Sequence, residues 1–214
     1  DVCSSDLHTS RSAPSSSSTY FLKLGHVSSV WRNCPSTHTS VFIEIKGSDS
    51  FISMTIKFIS HRGNLIGPYP DLENRPEYIL NAINSGVDCE CDAWLTPSDG
   101  KWWLGHDKPQ YQVDFEFFTE NVDHLWVHAK NLPALEALVD EGIHCFYHDK
   151  DAYTITSYGN IWAYPGARIT KNTVCVMPET MGPIVYTDEE RATAYGICSD
   201  YIILEKLKQV RRNT

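Results

Sequence analysis

Residues 87–107, VDCECDAWLTPSDGKWWLGHD, decide how the rest of the chain is read. The first half is β-rich, and beyond Asp88 it is apolar except for Glu90 and Asp92, so it reads as a buried strand. A turn at Ser98-Asp99-Gly100 leads into a second short apolar strand that ends on His106-Asp107. Side chains two apart on a strand share a face, so Glu90 and Asp92 project together while Cys89 and Cys91 project the other way. Two carboxylates side by side in an apolar strand repel and lose hydration unless a cation or a proton lies between them. A metal site is therefore the first expectation.

Outward from this stretch, similar short runs recur: IKFIS (56–60), LWVHAK (125–130), HCFYH (144–148), NIWAYP (160–165), TVCVMP (173–178) and GICSDY (196–201). A helix is predicted from Asn74 to about Ser85, with Asn74 as N-cap, Glu77 in the capping-box position and Gly86 as the stop. A second covers 132–141, opened by Asn131 and Pro133 and closed by Gly142, and a third covers 204–212. With 87–94 and 101–106, the runs make eight strands, apolar almost throughout as parallel strands covered on both faces are. Eight such strands predict a compact (β/α)8 TIM-type barrel. The chain is short for that fold, so several crossover helices must be shortened or missing. His61, Asp92, His106, Lys130, His148 and Glu179 fall at or just past strand C-termini, the end that carries the active site in this architecture.

Residues 1–53 differ in texture. Ser and Thr dominate, periodicity is poor, and four acidic and four basic residues cancel, so the net charge of −9 belongs to 54–214. Such a segment is expected to be disordered, because it buries too little apolar surface to offset its ordering entropy. The opening DVCSSDL resembles a translated sequencing-library adapter, which makes Met54 the expected start of a single functional domain over 54–214; a genuine Ser-rich linker is the alternative. The acidic balance argues against nucleic acid as a partner, and no run approaches the roughly 18 apolar residues of a membrane helix. Seven cysteines without a CxxC pair fit buried apolar positions better than a zinc ribbon or a disulfide framework, and point weakly to a reducing, cytoplasmic compartment.

Taken in order, His61-Arg62-Gly63, Glu73-Asn74, Glu90 with Asp92, and His106-Asp107 resemble the glycerophosphodiester phosphodiesterase family. More broadly they resemble the superfamily that includes phosphatidylinositol-specific phospholipase C. His128-Ala129-Lys130 aligns with a later carboxylate-x-Lys motif, and Asp200 in GICSDY with an aspartate of the last strand. The resemblance covers roughly residues 56–202. It implies hydrolysis of a glycerophosphodiester or similar small phosphodiester, as in lipid metabolism. His61 and His106 would be the acid–base pair, Arg62 and Lys130 the phosphate-binding cations, and one divalent cation would sit on Glu90 and Asp92. Magnesium or calcium is the family expectation. His128 stands where the family has a third carboxylate, which shifts preference towards manganese or zinc. The family's longer substrate loops are absent, and Trp94, Trp102, Trp103, Trp126 and Trp162 are candidates to line the mouth in their place.

Structural readings compete at each position. His61-Arg62 can be a strand-end pair satisfied by carbonyls, His106-Asp107 a local turn, Asn131 a helix cap, and the tryptophans core. At the level of function, a catalytically weak barrel that binds phosphorylated ligands is one alternative. An amidohydrolase-type metal hydrolase is another, disfavoured because Ser60-His61-Arg62 lacks that chemistry's HxH pattern.

Overall fold

The computed structural model describes residues 56–181 and 186–212, together with 23–24 and 27–28. The chain divides into two units, 1–53 and 54–214. In the first, β1 (Lys23–Leu24) and β2 (Val27–Ser28) pair antiparallel. The expectations of disorder over the rest of 1–53 and of a start at Met54 lie outside the described residues.

The second unit begins with β3 (Lys57–His61), α1 (Pro76–Asn84), β4 (Asp88–Thr96), β5 (Lys101–Leu104), β6 (Tyr111–Val113) and α2 (Glu116–Glu120). There follow β7 (Leu125–Ala129), α3 (Leu132–Asp140), β8 (Cys145–Phe146), β9 (Tyr153–Ile155), β10 (Ile161–Ala163) and β11 (Thr173–Val176). After a 3-10 turn, Pro178–Met181, come α4 (Asp188–Thr193), β12 (Gly196–Ser199) and α5 (Ile202–Arg212). Each of the eight predicted runs contains a strand, but the closed barrel they implied is not what forms. The ten strands make one mixed sheet curled into an open half-barrel.

The physical reasons are specific. β5 folds back on β4 as an antiparallel hairpin, so one of the eight runs leaves the parallel set. Seven strands run parallel, in the order β8-β7-β4-β3-β12-β11-β10, and no pairing joins β8 to β10 among the described residues. The chain from 147 to 160 is rich in turn formers and has no helical periodicity, so it supplies the antiparallel β9 instead of a crossover helix. Ser157 partly spans the seam: its backbone N–H donates to the Cys145 carbonyl (2.8 Å), and its Oγ accepts from the Cys145 N–H (3.0 Å).

Strand parity sorts the side chains. Glu90 and Asp92 share a face with Trp126 and His128, their register partners on β7. On that concave face Ile59, Trp126, Phe146, Trp162, Val174, Val176 and Cys198 form one apolar cluster. Cys89 and Cys91 point the other way, into a larger core with Ile79 and Ala82 of α1 and Ala134 and Leu138 of α3. They are buried, unbridged thiols. The carboxylates therefore face the inside of the curl and not the helix layer.

One predicted cap is corrected. Arg75, not Asn74, is the N-cap of α1, and its side chain makes no capping bond. Pro76 forces this: the residue before a proline is held extended, and proline favours the first helical position. Asn131 does cap α3, accepting from the Ala134 N–H; it also ties the strand end by accepting from the Leu95 N–H and donating to the Leu95 carbonyl.

Candidate functional site

The C-terminal ends of the parallel strands open into a cleft of about 390 Å³. His61, Arg62, Glu90, His106, His128 and Lys130 line it, and Asp92 lies fully buried beneath them. Phe146, Trp162, Tyr164, Val176 and Met177 complete the lining with apolar and aromatic surface. Of the five tryptophans proposed for the mouth, Trp162 is the one in this lining; Trp102 and Trp126 are buried core. His148 reaches the cleft. Glu179 does not line it, and accepts instead from the Ser199 hydroxyl and the Asp200 N–H.

Asp92 is the most heavily contacted group of the site. Asn74 clamps it twice, donating through Nδ2 to Oδ2 and accepting the Asp92 N–H at Oδ1, both at 2.8 Å. Arg62 Nε lies 2.9 Å from Oδ2, while Lys130 Nζ and His128 Nδ1 lie 3.4 and 3.0 Å from Oδ1. Burial alone would raise the Asp92 carboxyl, but His128, Arg62 and Lys130 outweigh it and hold it well below the usual carboxylate range. Glu90 lacks such company. Burial first, and the Asp92 charge second, push its carboxyl above that range.

Three observations bear on a cation. Glu90 Oε2 is buried with no hydrogen-bond partner, a state that costs free energy unless something else satisfies it, whereas Asp92 Oδ1 has its ion pairs with His128 and Lys130. His128 Nε2 lies 2.9 Å from the His148 carbonyl oxygen, so that nitrogen must carry the hydrogen. Its Nδ1 faces Asp92 Oδ1 at 3.0 Å and Glu90 Oε1 at 3.9 Å. One ligand atom from each of Glu90, Asp92 and His128 falls within 4.8 Å of the others. Two oxygens and an imidazole nitrogen suit a divalent cation, and the residues present fit one.

Two histidine–carboxylate pairs flank this group. His61 Nδ1 meets Asp200 Oδ1 at 2.8 Å, and Asn64 Nδ2 holds the same oxygen at 2.8 Å. Burial, the largest influence, lowers the His61 pKa; the Asp200 hydrogen bond and the Glu90 charge more than reverse it, and it ends above 6.5. His106 Nδ1 meets Asp107 Oδ1 at 2.6 Å on a more exposed loop. There, burial and the Arg62 charge bring the pKa below 6.5. Each pair engages Nδ1, leaving Nε2 for a ligand.

No protein-family model, curated protein or solved structure matches this chain. The chemistry open to the site is thus argued from its own geometry.

Asp200 and Asn74 carry more of that geometry than the sequence suggested. Asp200 lies 139 positions from His61, and only the β3–β12 register brings the two together. Asn74 adopts φ +62°, a left-handed conformation that asparagine tolerates better than most residues. A readable signal did exist: the Asn-Arg-Pro order leaves the cap to Arg75 and frees the Asn74 side chain.

Gly105 sets the His106 loop. Its N–H donates to the Asp92 carbonyl, its own carbonyl accepts from Trp94 Nε1, and its φ is +144°. A Cβ there would run into the Lys108 carbonyl and the Gln110 side chain. Gly105→Ala should displace His106 while leaving Glu90, Asp92 and His128 in place. The expected result is a shifted His106 imidazole signal by NMR with metal affinity unchanged by calorimetric titration.

Proposed function

We propose that the chain is a divalent-cation-dependent phosphodiesterase acting on a glycerophosphodiester or similar small phosphodiester. The observation that supports this best is the placement of two histidine–carboxylate pairs, His61–Asp200 and His106–Asp107, across one cleft from Glu90, Asp92 and His128. Arg62 and Lys130 add positive charge at this cleft in a chain whose net charge is −9, as an anionic substrate requires.

A bound divalent cation would neutralise charge on the non-bridging phosphoryl oxygens, and Glu90, Asp92 and His128 would hold it. The histidines divide the proton transfers by their environments. His106, with its pKa lowered, takes the proton from the attacking hydroxyl as its oxygen bonds to phosphorus. His61, with its pKa raised, gives its proton to the alkoxide released when the opposite P–O bond breaks. The nucleophile is either water or a hydroxyl of the substrate itself; the second gives a cyclic phosphate. Lys130 orients the phosphoryl group. Arg62 is committed on two sides, Nε beside Asp92 and Nη1 to Glu73 at 3.2 Å, so its role is to shape the pocket as much as to bind charge.

This division predicts a bell-shaped pH dependence of kcat/KM. Activity needs His106 deprotonated and His61 protonated. It should rise with pH through a value below 6.5, where His106 loses its proton, and fall through a value above 6.5, where His61 does. A single-limbed profile would overturn the assignment.

The direct test is release of alcohol from glycerophosphodiesters and from bis-(p-nitrophenyl) phosphate by the purified full chain, with EDTA and with added magnesium, calcium, manganese or zinc. Metal-dependent turnover supports the reading, and its absence with every metal sinks it. A second reading rests on the cations already around Asp92: Arg62, Lys130 and His128 could balance the carboxylates without a metal, leaving a pocket that only binds phosphorylated ligands. Phosphate-ester binding that survives EDTA, without turnover, would favour that reading.

A further inference from the structure

The identity of the cation can be argued further. This rests on the metal reading of the same site but not on its phosphodiesterase activity. We infer that the centre is selective for a borderline transition ion, manganese, cobalt or zinc, and discriminates against magnesium and calcium. His128 is the residue that sets the choice.

The first argument is charge. Hard cations bind chiefly by electrostatics and by many oxygen ligands, six to eight for calcium. Here the protein offers two carboxylates, and two permanent cations stand against them: Arg62 Nε 2.9 Å and Lys130 Nζ 3.4 Å from Asp92. The inner group is thus close to neutral before a metal arrives. An ion that depends on net negative charge gains little there. An ion that forms a strong bond to imidazole nitrogen still gains that bond, and affinity for nitrogen rises along the first transition row.

The second argument is preorganisation. His128 is not a flexible side chain that happens to be nearby. Its Nε2 is tied to the His148 carbonyl, and its ring stacks on Phe146 with a centroid separation of 5.0 Å and an interplanar angle of 7°. A backbone carbonyl on the remote nitrogen fixes the orientation of the ring, the usual arrangement behind a metal-bound histidine. Nδ1 is thereby aimed at the carboxylates, 3.0 Å from Asp92 Oδ1 and 3.9 Å from Glu90 Oε1. Three protein ligands also leave positions open for substrate oxygens, as catalytic sites require.

The test measures binding, not turnover. Calorimetric titration of the metal-free full chain should give manganese, cobalt and zinc affinities at least about 100-fold tighter than magnesium or calcium. The cobalt complex should show visible d–d absorption that is lost in Glu90→Gln, which removes a ligand and controls for binding at other histidines. His128→Asp should restore a third carboxylate and narrow that preference by about tenfold or more, with folding checked by near-UV circular dichroism. Equal affinities for magnesium and manganese in the parent chain, or an unchanged preference in a folded His128→Asp chain, would overturn the inference. Failure of the phosphodiesterase reading looks different: selective metal binding would persist with no turnover of any phosphodiester.

Discussion

Asp92→Asn and Glu90→Gln, two isosteric changes two residues apart on one strand, are expected to move the stability of the metal-free chain in opposite directions. Asp92 is fully buried and faces Arg62, Lys130 and His128 at 2.9, 3.4 and 3.0 Å. Removing its charge leaves Arg62 with Glu73 at 3.2 Å and His128 with the more distant Glu90 at 3.9 Å, and takes away the Lys130 ion pair. Breaking a buried ion pair from one side costs about 3–5 kcal/mol, and because Arg62 and Lys130 keep some solvent contact the lower figure applies. For a domain of this size that corresponds to a fall in Tm of about 10 °C. Asparagine can keep the Asn74 clamp by turning its amide oxygen to Asn74 Nδ2, since the other clamp bond uses the backbone N–H of residue 92, but its NH2 then faces Lys130 and His128.

Glu90 is the reverse case. Its Oε2 is buried without a partner, and burial with the Asp92 charge pushes its carboxyl above the usual range. A carboxyl whose folded pKa is raised binds protons more tightly in the folded state, so the metal-free protein loses stability as pH rises from the ordinary value of 4.5 to the raised one. Gln removes that loss. Glu90→Gln should raise the Tm of the metal-free chain by about 3 °C or more at pH 7, while abolishing the stabilisation that added metal gives the parent. Asp92 has the opposite linkage: its pKa is depressed, so its contribution is present above 3.8 and fades as pH falls through the folded value. Thermal melts at several pH values, with and without manganese, check both signs. If both variants melted lower than the parent without metal, Glu90 would be a satisfied structural carboxylate and the argument for a cation would lose its main support.

How much of this was legible beforehand depends on the range of the interaction. The alternation of Cys89, Glu90, Cys91 and Asp92 was sufficient to place both carboxylates on one face, because strand parity is local. His61, His106 and Lys130 could be put at strand ends for the same reason. Topology was not local. Nothing in KWWL distinguishes a parallel strand from the antiparallel return of a hairpin except the short turn before it, Ser98-Asp99-Gly100, since parallel neighbours need a crossover of a dozen or more residues. Weighing that turn would have removed one strand from the count of eight and, with it, the closed barrel. The seam between β8 and β10 follows from residues 147–160, whose turn formers and lack of helical period are visible in the sequence. Asp200 belongs to a third category: its place on the last strand was readable, but its bond to His61 depends on β12 lying beside β3.

That bond carries the other large prediction. His61→Ala should lower kcat by about 10³-fold or more, the upper part of the range for loss of a general acid or base, with metal affinity retained because His61 is not among the ligand atoms. Loss of the proton donor alone makes the defect smallest for substrates whose leaving group needs no proton. A p-nitrophenyl ester should therefore lose much less than an alkyl glycerophosphodiester. Asp200→Asn separates position from charge. Asparagine can still accept from His61 Nδ1, so the ring should stay in place, but the carboxylate that holds the His61 pKa above 6.5 is gone. The alkaline limb of the kcat/KM profile should then move to lower pH while the acid limb, set by His106, stays where it was. The same pair also bears on stability: His61 binds its proton more tightly when folded, so the pair contributes below 6.5 and is lost as pH rises through the raised value. In Asp200→Asn that pH dependence should flatten. A shifted alkaline limb with an unmoved acid limb identifies His61 as the proton donor. An equal fall at every pH, with no shift, would reduce Asp200 to a packing residue and leave His61 without its assigned part in the reaction.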